Sequence, residues 1–323
     1  MNSIYNHEEI SAARKIFDSP LLKNLTTHTT KRLEILTAFF DRHAVPYHLV
    51  PLKGHTHCVV SFPQRAFDKN FVTKIFIAHY DTNGTGAAAN DNTAACVQLA
   101  FFAGELQKET VPHNIHIIFT AGEELQNKGL HRQGAFFLGL GLRELNKVNS
   151  TLVFVFDLCG RGDSLVVSDA GIFSRDSAKT QKLKNLQRIA IHCAKNAALP
   201  YYRFPTAFSD NAGFLASGCN AQLITVLPHR EAESFVRGLK TLEQHVSPEI
   251  FARIVRECII EGHKENDAAG KTIEKIKPDT WKMMHTEHDT IEHLQLEAFI
   301  LMHKYFHALK TCMIPPDTIN FKQ

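Results

Sequence analysis

Five short stretches of this sequence carry histidine and carboxylate side chains that could bind a metal ion together. They are HYD at residues 79–81, NDN at 90–92, GEE at 122–124, FDLCGRG at 156–162 and HTEHDT at 285–290. Imidazole nitrogens and carboxylate oxygens are both ligands of zinc in proteins. The residue types therefore indicate a metal site, provided that the fold brings these distant stretches to one place.

Apolar runs separated by helix-like segments predict how the stretches are positioned. Three runs are mostly apolar and do not alternate with polar residues, at residues 72–78, 115–119 and 152–156, and helix-like segments lie between them at 92–109 and about 125–145. Further strands are predicted at 164–168, 201–205 and 221–227, and a helix at about 178–197. Alternating strands and helices, with strands apolar on both sides, are typical of an α/β fold with a mostly parallel central sheet flanked by helices.

Each of the three apolar runs ends in a side chain suited to metal binding or acid–base chemistry. The first ends at His79, the second leads to Glu123 and Glu124, and the third ends at Asp157. In open parallel sheets, ligands bind outside the carboxyl ends of the strands. We therefore expect these groups to converge at one edge of the sheet, with Asp91 joining them from the start of the following helix.

The remaining segments predict a single α/β domain over residues 1–323. Residues 4–43 show two helical patterns, so that 1–43 is interpreted as an N-terminal helical cap. Residues 230–280 are mostly polar and helical, and are interpreted as a helical insertion or lid beside the sheet. The last helix is expected at 290–310, where an amphipathic pattern begins after Asp289 and Thr290.

Composition restricts the partners and the compartment. The 323 residues carry a net charge of +3, from 36 basic and 33 acidic residues, which gives no basic field for nucleic acid. No apolar run approaches the ~20 residues that span a bilayer. The N-terminus does not resemble a signal peptide, and the seven cysteines form no C-x-x-C pair. We therefore expect a cytoplasmic protein without nucleic-acid or membrane partners, whose oligomeric state stays open.

Taken in order, the motifs resemble those of the M28-type zinc peptidases, whose scaffold the glutaminyl cyclases share. The resemblance includes FSDNAGF at 208–214 and covers about residues 70–310. It implies a phosphorylase/hydrolase-like α/β fold and a zinc cofactor, with two ions expected and one possible. One departure concerns the segment after Phe208: Ser209 and Asp210 match the family, but Asn211 replaces the usual histidine, which leaves the role of this loop open.

The resemblance also implies a ligand for each position of a dinuclear centre. Asp91 would bridge the two zinc ions. Glu124 and His285 would complete one zinc site, and His79 with Asp157 would complete the other.

The same resemblance implies roles for three further residues. Glu123, next to a ligand, would be the general base. Asp81 would stand behind His79 and hold its tautomer. Asp289 would stand in a similar relation to the histidine at position 285.

Three functions remain open at this point. The first is an aminopeptidase acting on peptides with a free N-terminus, with a metal-bridged hydroxide as nucleophile and Glu123 as base. The second is a glutaminyl cyclase-like acyltransferase that uses one zinc held by Asp91, Glu124 and His285. The third is a non-catalytic binding module on the same fold, which would be marked by loss of the base or of ligands.

Overall fold

A single sheet of eight strands forms the centre of the fold. The computed structural model describes residues 5–124, 129–172, 177–262 and 268–316. The strands are β1 (Tyr47–Leu52), β2 (His55–Val60), β3 (Thr73–His79), β4 (Ile115–Thr120), β5 (Thr151–Phe156), β6 (Ser164–Ser168), β7 (Tyr201–Phe204) and β8 (Ala221–Leu227). Their order across the sheet is β1-β2-β4-β3-β5-β8-β6-β7.

The centre of the sheet is parallel and its two sides are mixed. Strands β4, β3, β5 and β8 run parallel to one another, and their buried residues are mostly apolar, although Lys74 of β3 and Gln222 of β8 are buried as well. β2 pairs antiparallel with β4, and β6 antiparallel with β8. β1 and β2 form a hairpin because Lys53 and Gly54 both take positive φ angles, +50° and +89°, which turns the chain back within two residues. The predicted mostly parallel α/β fold is confirmed.

Helices cover both faces of the sheet. Within the described residues they are α1 (His7–Phe17), α2 (Pro20–Thr27), α3 (Arg32–Arg42), α4 (Ala94–Leu106), α5 (Gly134–Glu144), α6 (Ser177–Asn196), α7 (Asp210–Ala216), α8 (His229–His245), α9 (Pro248–Ile254), α10 (Ala268–Ile276), α11 (Asp279–Met283) and α12 (Leu296–Thr311). A π-helical turn, Val255–Ile260, continues α9. Helices α4 and α12 are packed in the largest apolar core, against the face of the sheet that carries Phe76, Phe154 and Phe156.

Three predicted helix boundaries differ from the structure for local reasons. The N-terminal segment contains three helices instead of two, because Ser19 caps a new helix that begins at Pro20. The helix predicted from about 125 begins at Gly134, and residues 125–128 lie outside the described part of the chain. The last helix begins at Leu296, because Ile291–His293 form a separate 3₁₀ turn.

Helices α8 to α11 build an apolar cluster of their own beside the sheet. The rings of Phe235 and Trp281 lie 5.1 Å apart, edge to face, and Phe204 at the end of β7 packs against both. Ile254, Ile260 and other buried aliphatic side chains complete the cluster. These helices therefore pack against the sheet at β7, near the carboxyl ends of the central parallel strands.

Within the described residues, no helix has both the length and the apolar character that crossing a membrane requires.

Candidate metal centre

The ends of two neighbouring strands bring His79 and Asp157 together. His79 is the last residue of β3, and Asp157 follows β5, which pairs with β3 in parallel. His79 Nε2 lies 3.6 Å from Asp157 Oδ1 and 3.3 Å from Asp91 Oδ1, and the imidazole is fully buried. One imidazole and two carboxylates thus share a single point at the edge of the sheet.

A second set of ligand-type groups meets on the other oxygen of Asp91. His285 Nε2 lies 3.1 Å from Asp91 Oδ2 and 3.1 Å from Glu124 Oε2. Glu124 comes from the loop after β4, and His285 from the segment after α11. Asp91 therefore stands between two histidines and presents one carboxylate oxygen to each.

These distances fit zinc. For a tetrahedral ion with bonds of about 2.0–2.1 Å, neighbouring ligand atoms are separated by about 3.3 Å. The separations measured in the two sets run from 3.1 to 3.6 Å. His79 Nε2 and Asp157 Oδ1 are moreover buried without a hydrogen-bond partner among the described residues, as metal-facing atoms would be. The five residues that the sequence analysis expects as ligands thus lie together at one edge of the sheet, in groups of three that could each hold a metal ion.

The charge of the cluster favours cations. Hydrogen bonds to Asp91 and Glu124 raise the pKa of His285 to about 10. Burial opposes protonation of His79, but Asp157 and the other nearby carboxylates outweigh it and raise the pKa of His79 well above its usual value. Carboxylates therefore dominate the local potential, which attracts positive charge to both imidazoles.

Asp81 organises the loop that carries the two glutamates. Its Oδ2 accepts hydrogen bonds from the backbone N–H groups of Gly122 at 3.0 Å and Glu124 at 3.1 Å. The contact with His79 Nδ1 is made by the backbone carbonyl of Asp81, at 3.3 Å, while Oδ1 lies 3.7 Å away. Asp81 stands behind His79 as expected, but its carboxylate mainly fixes the position of the loop.

Asp289 acts on Asp91 rather than on His285. Its carboxylate accepts hydrogen bonds from the backbone N–H groups of Asn90 at 2.7 Å and Asp91 at 3.0 Å. Close packing of the two loops allows this, because Gly86 has a φ of +66° and a Cβ there would lie 2.8 Å from the carbonyl oxygen of Thr286. The expectation that Asp289 supports His285 is replaced by a contact that holds the backbone of Asn90 and Asp91.

A buried arginine from the N-terminal helices holds the loop between the first two motifs, and no motif in the sequence points to it. The Arg32 side chain is 3% exposed. Its guanidinium donates hydrogen bonds to the carbonyls of Tyr80, Asp81, Ala87 and Ala88 and to Thr93 Oγ1. Arg32 thus connects both ends of the loop that runs from His79 to Asp91.

Replacing Arg32 by lysine should therefore weaken zinc binding by about 10–100-fold, the usual effect of removing a partner that orients metal ligands. Lysine keeps the charge but lacks the planar fork that reaches several acceptors at once. Arg42→Lys, at the exposed end of the same helix, is the control. Zinc affinity is measured by competition with a chelator, and equal affinities of the two variants would contradict this role.

The segment 209–211 lies directly beneath the site. Asp210 is fully buried and accepts a 2.5 Å hydrogen bond from Thr120, which pairs with His79 across the sheet. Burial raises the pKa of Asp210 to about 7. Asn211 bonds back to the N–H of Ser209 at 2.8 Å and so forms a local turn.

A cleft of about 950 Å³ opens beside the metal-binding groups. Glu123 and His285 lie at one end of it. Its apolar walls come from Phe208, in the loop after β7, and from the helices beside the sheet, through Phe235, Ile259, Ile260 and Trp281. The cleft therefore places an apolar surface next to the paired carboxylates and imidazoles.

Comparison with known proteins gives one family and several similar folds. The sequence model of peptidase family M28 matches residues 59–309. The LapA aminopeptidase of Legionella pneumophila is similar in structure, with a TM-score of 0.57 at 15% identity, over 95% of this chain and 75% of that chain. The Porphyromonas gingivalis glutaminyl cyclase gives a TM-score of 0.58 at 11% identity, over 92% of this chain and 97% of that one.

A Zn-dependent exopeptidase from Parabacteroides distasonis has a TM-score of 0.54 at 12% identity, over 91% of this chain and 96% of that chain. A search of curated proteins gives no match. At these identities, the solved structures show that the fold is common to aminopeptidases and glutaminyl cyclases.

Proposed function

The chain belongs to peptidase family M28, and from this we propose that it is a zinc-dependent aminopeptidase, which removes the first residue of a peptide. The observation that best supports the proposal is the position of Asp91. Its two oxygens face two different histidines, His79 at 3.3 Å and His285 at 3.1 Å. Two ligand sets that share one carboxylate are suited to a pair of ions acting on one substrate.

We propose that the five ligands divide between two positions. His79, Asp91 and Asp157 would hold one ion, and Asp91, Glu124 and His285 the other. Bound zinc would supply a Lewis acid for the scissile carbonyl and lower the pKa of water towards neutrality.

Glu123 is the residue that we propose as general base. It follows the strand β4 on the same loop as Glu124, but it points into the cleft. Burial raises the pKa of Glu123 well above its usual value, which suits a group that must both take and return a proton. Its carboxylate would accept a proton from the attacking water and pass it to the departing amine when the C–N bond breaks.

The cleft gives the substrate a place beside these groups. The surplus of carboxylates attracts a protonated α-amino group, which is the feature that an aminopeptidase must recognise. The apolar walls from Phe208 and Trp281 offer burial to the first side chain of the peptide. We propose that the helical insertion over residues 230–280 serves as the lid of this cleft.

Three peptides distinguish the possible activities of the zinc-loaded protein. One begins with a free leucine, the second is the same peptide N-acetylated, and the third begins with glutamine. We expect release of free leucine from the first peptide and no cleavage of the acetylated one, because the carboxylates require a charged amine. Mass spectrometry measures the products.

Other outcomes of this assay would overturn the proposal. A glutaminyl cyclase would release ammonia from the glutamine peptide and leave it with a cyclised N-terminus. It would release no leucine from the first peptide. Binding of zinc without turnover of any of the three would leave a binding module on the same fold.

A further inference from the structure

A separate histidine–carboxylate cluster lies between the helices α4 and α12, on the side of the molecule away from the cleft. It consists of Glu105, in the last turn of α4, and of His303 and His307, one turn apart on α12. His303 Nε2 lies 3.3 Å from Glu105 Oε1, and His307 Nε2 lies 3.1 Å from Glu105 Oε2. The two Nε2 atoms are themselves 3.3 Å apart.

The two imidazoles do not carry enough protons to make all three contacts hydrogen bonds at once. Each Nε2 carries at most one proton. If both nitrogens donate to Glu105, two N–H groups face each other across 3.3 Å. If one Nε2 accepts a hydrogen bond from the other, it carries no proton that it could donate to Glu105. A cation placed between the three atoms would be bound by all of them at once.

The separations match those of a metal site. Three contacts of 3.1 to 3.3 Å agree with the ligand spacing of about 3.3 Å around a tetrahedral zinc ion. They also fall within the range found around Asp91, from 3.1 to 3.6 Å. Two imidazoles and one carboxylate are a ligand set that zinc and copper favour over magnesium or calcium.

The surroundings hold the cluster in place and leave it open to solvent. The His303 side chain is 15% exposed, whereas His307 and Glu105 are 37% and 38% exposed. The ring of Phe102 packs edge to face against His307 at 5.5 Å. The neighbouring lysines of α12 are paired with other carboxylates, Lys304 with Glu9 and Lys310 with Glu109. No lysine contact therefore competes for Glu105 among the described residues.

We propose that Glu105, His303 and His307 form a binding site for a divalent ion of the zinc and copper class, with solvent completing the coordination. The ion would join the end of α4 to α12. Because α4 has 13 residues, it is about 20 Å long, and it begins just after Asp91 at its other end. The site is thus remote from the candidate metal centre, and its role would be to stabilise the packing of the two helices.

Zinc counting in matched variants tests the proposal. The full chain, the double variant His303→Asn/His307→Asn and the single variant Glu105→Gln are equilibrated with zinc alone at low-micromolar free concentration, and bound zinc is measured by elemental analysis. His245→Asn is the control, since His245 is an exposed histidine at the end of α8 whose Nδ1 contacts the carbonyl of Thr241 on its own helix. We expect the double variant and Glu105→Gln to lose about one equivalent per chain relative to wild type and His245→Asn.

A second measurement separates this site from the catalytic one. Added zinc should raise the melting temperature of wild type more than that of the double variant, because an ion that binds only the folded state stabilises it. Peptide turnover should be equal in both. Equal zinc content in wild type and the double variant, or loss of turnover together with the ion, would overturn the proposal. This result does not depend on whether the protein is an aminopeptidase.

Discussion

Replacing Glu123 by glutamine should lower kcat for peptide cleavage by about 10²–10⁴-fold, the contribution usual for a general acid–base group. Glutamine has the same shape but accepts no proton from water. Because Glu123 is not one of the five residues assigned as ligands, the bound zinc should stay unchanged. Turnover of the leucine peptide and zinc content are measured on the same sample, with Glu243→Gln on the exposed side of α8 as control.

The pH profile gives an independent check on the same residue. Burial raises the pKa of Glu123, and the base acts in its ionised form. The wild-type rate should therefore fall as the pH is lowered through this raised pKa, and the residual rate of Glu123→Gln should lack that acid limb. If Glu123→Gln keeps wild-type turnover with zinc bound, the assignment of the base is wrong.

Replacing Asp91 by asparagine should remove zinc from both positions and abolish measurable turnover. The substitution takes a negative charge and a ligand oxygen from a carboxylate whose two oxygens face His79 and His285. Loss of an outer partner already costs about 10–100-fold in affinity, so loss of the shared ligand should cost more than about 100-fold at each position. Zinc content after equilibration in buffered zinc measures the effect.

Asp157→Asn is the matched comparison for the shared ligand. Among the described residues, Asp157 groups with His79 and Asp91, whereas Glu124 and His285 form the other set with Asp91. This variant should therefore lose the ion on the His79 side and keep the one at Glu124 and His285. If Asp91 bridges the two ions, Asp91→Asn should lose both of them and Asp157→Asn only one. If Asp91→Asn and Asp157→Asn each lose the same single ion, Asp91 does not bridge two metals.

Several features of the fold could be predicted because they are encoded locally. The runs that form β3, β4 and β5 are mostly apolar and do not alternate, as expected of strands covered on both faces. A metal-competent residue at or just after the end of such a strand lies at the edge of the sheet, which made His79, Glu124 and Asp157 visible as a group. The hairpin of β1 and β2 and the start of α2 at Pro20 were less visible, since short turns and caps depend on one or two residues.

The residues that hold the site in place could not be predicted in the same way. Arg32 lies in an ordinary amphipathic helix, and its acceptors are mostly backbone carbonyls, which leave no signal in the sequence. The family resemblance relates Asp289 to His285, whereas in the structure the Asp289 carboxylate accepts hydrogen bonds from the backbone of Asn90 and Asp91. Contacts of this kind join segments that are far apart in the chain.

The sequence by itself determined the fold class and the family, and it predicted five ligand-type residues with Glu123 beside them. Strand periodicity and motif order are properties of short segments, so they can be read without coordinates. The tertiary structure alone decided which oxygen of Asp91 faces which histidine, which helices wall the cleft, and that Glu105 meets His303 and His307. These depend on the strand order and on how α4 packs against α12, because side chains distant in sequence meet only when the elements that carry them are in place.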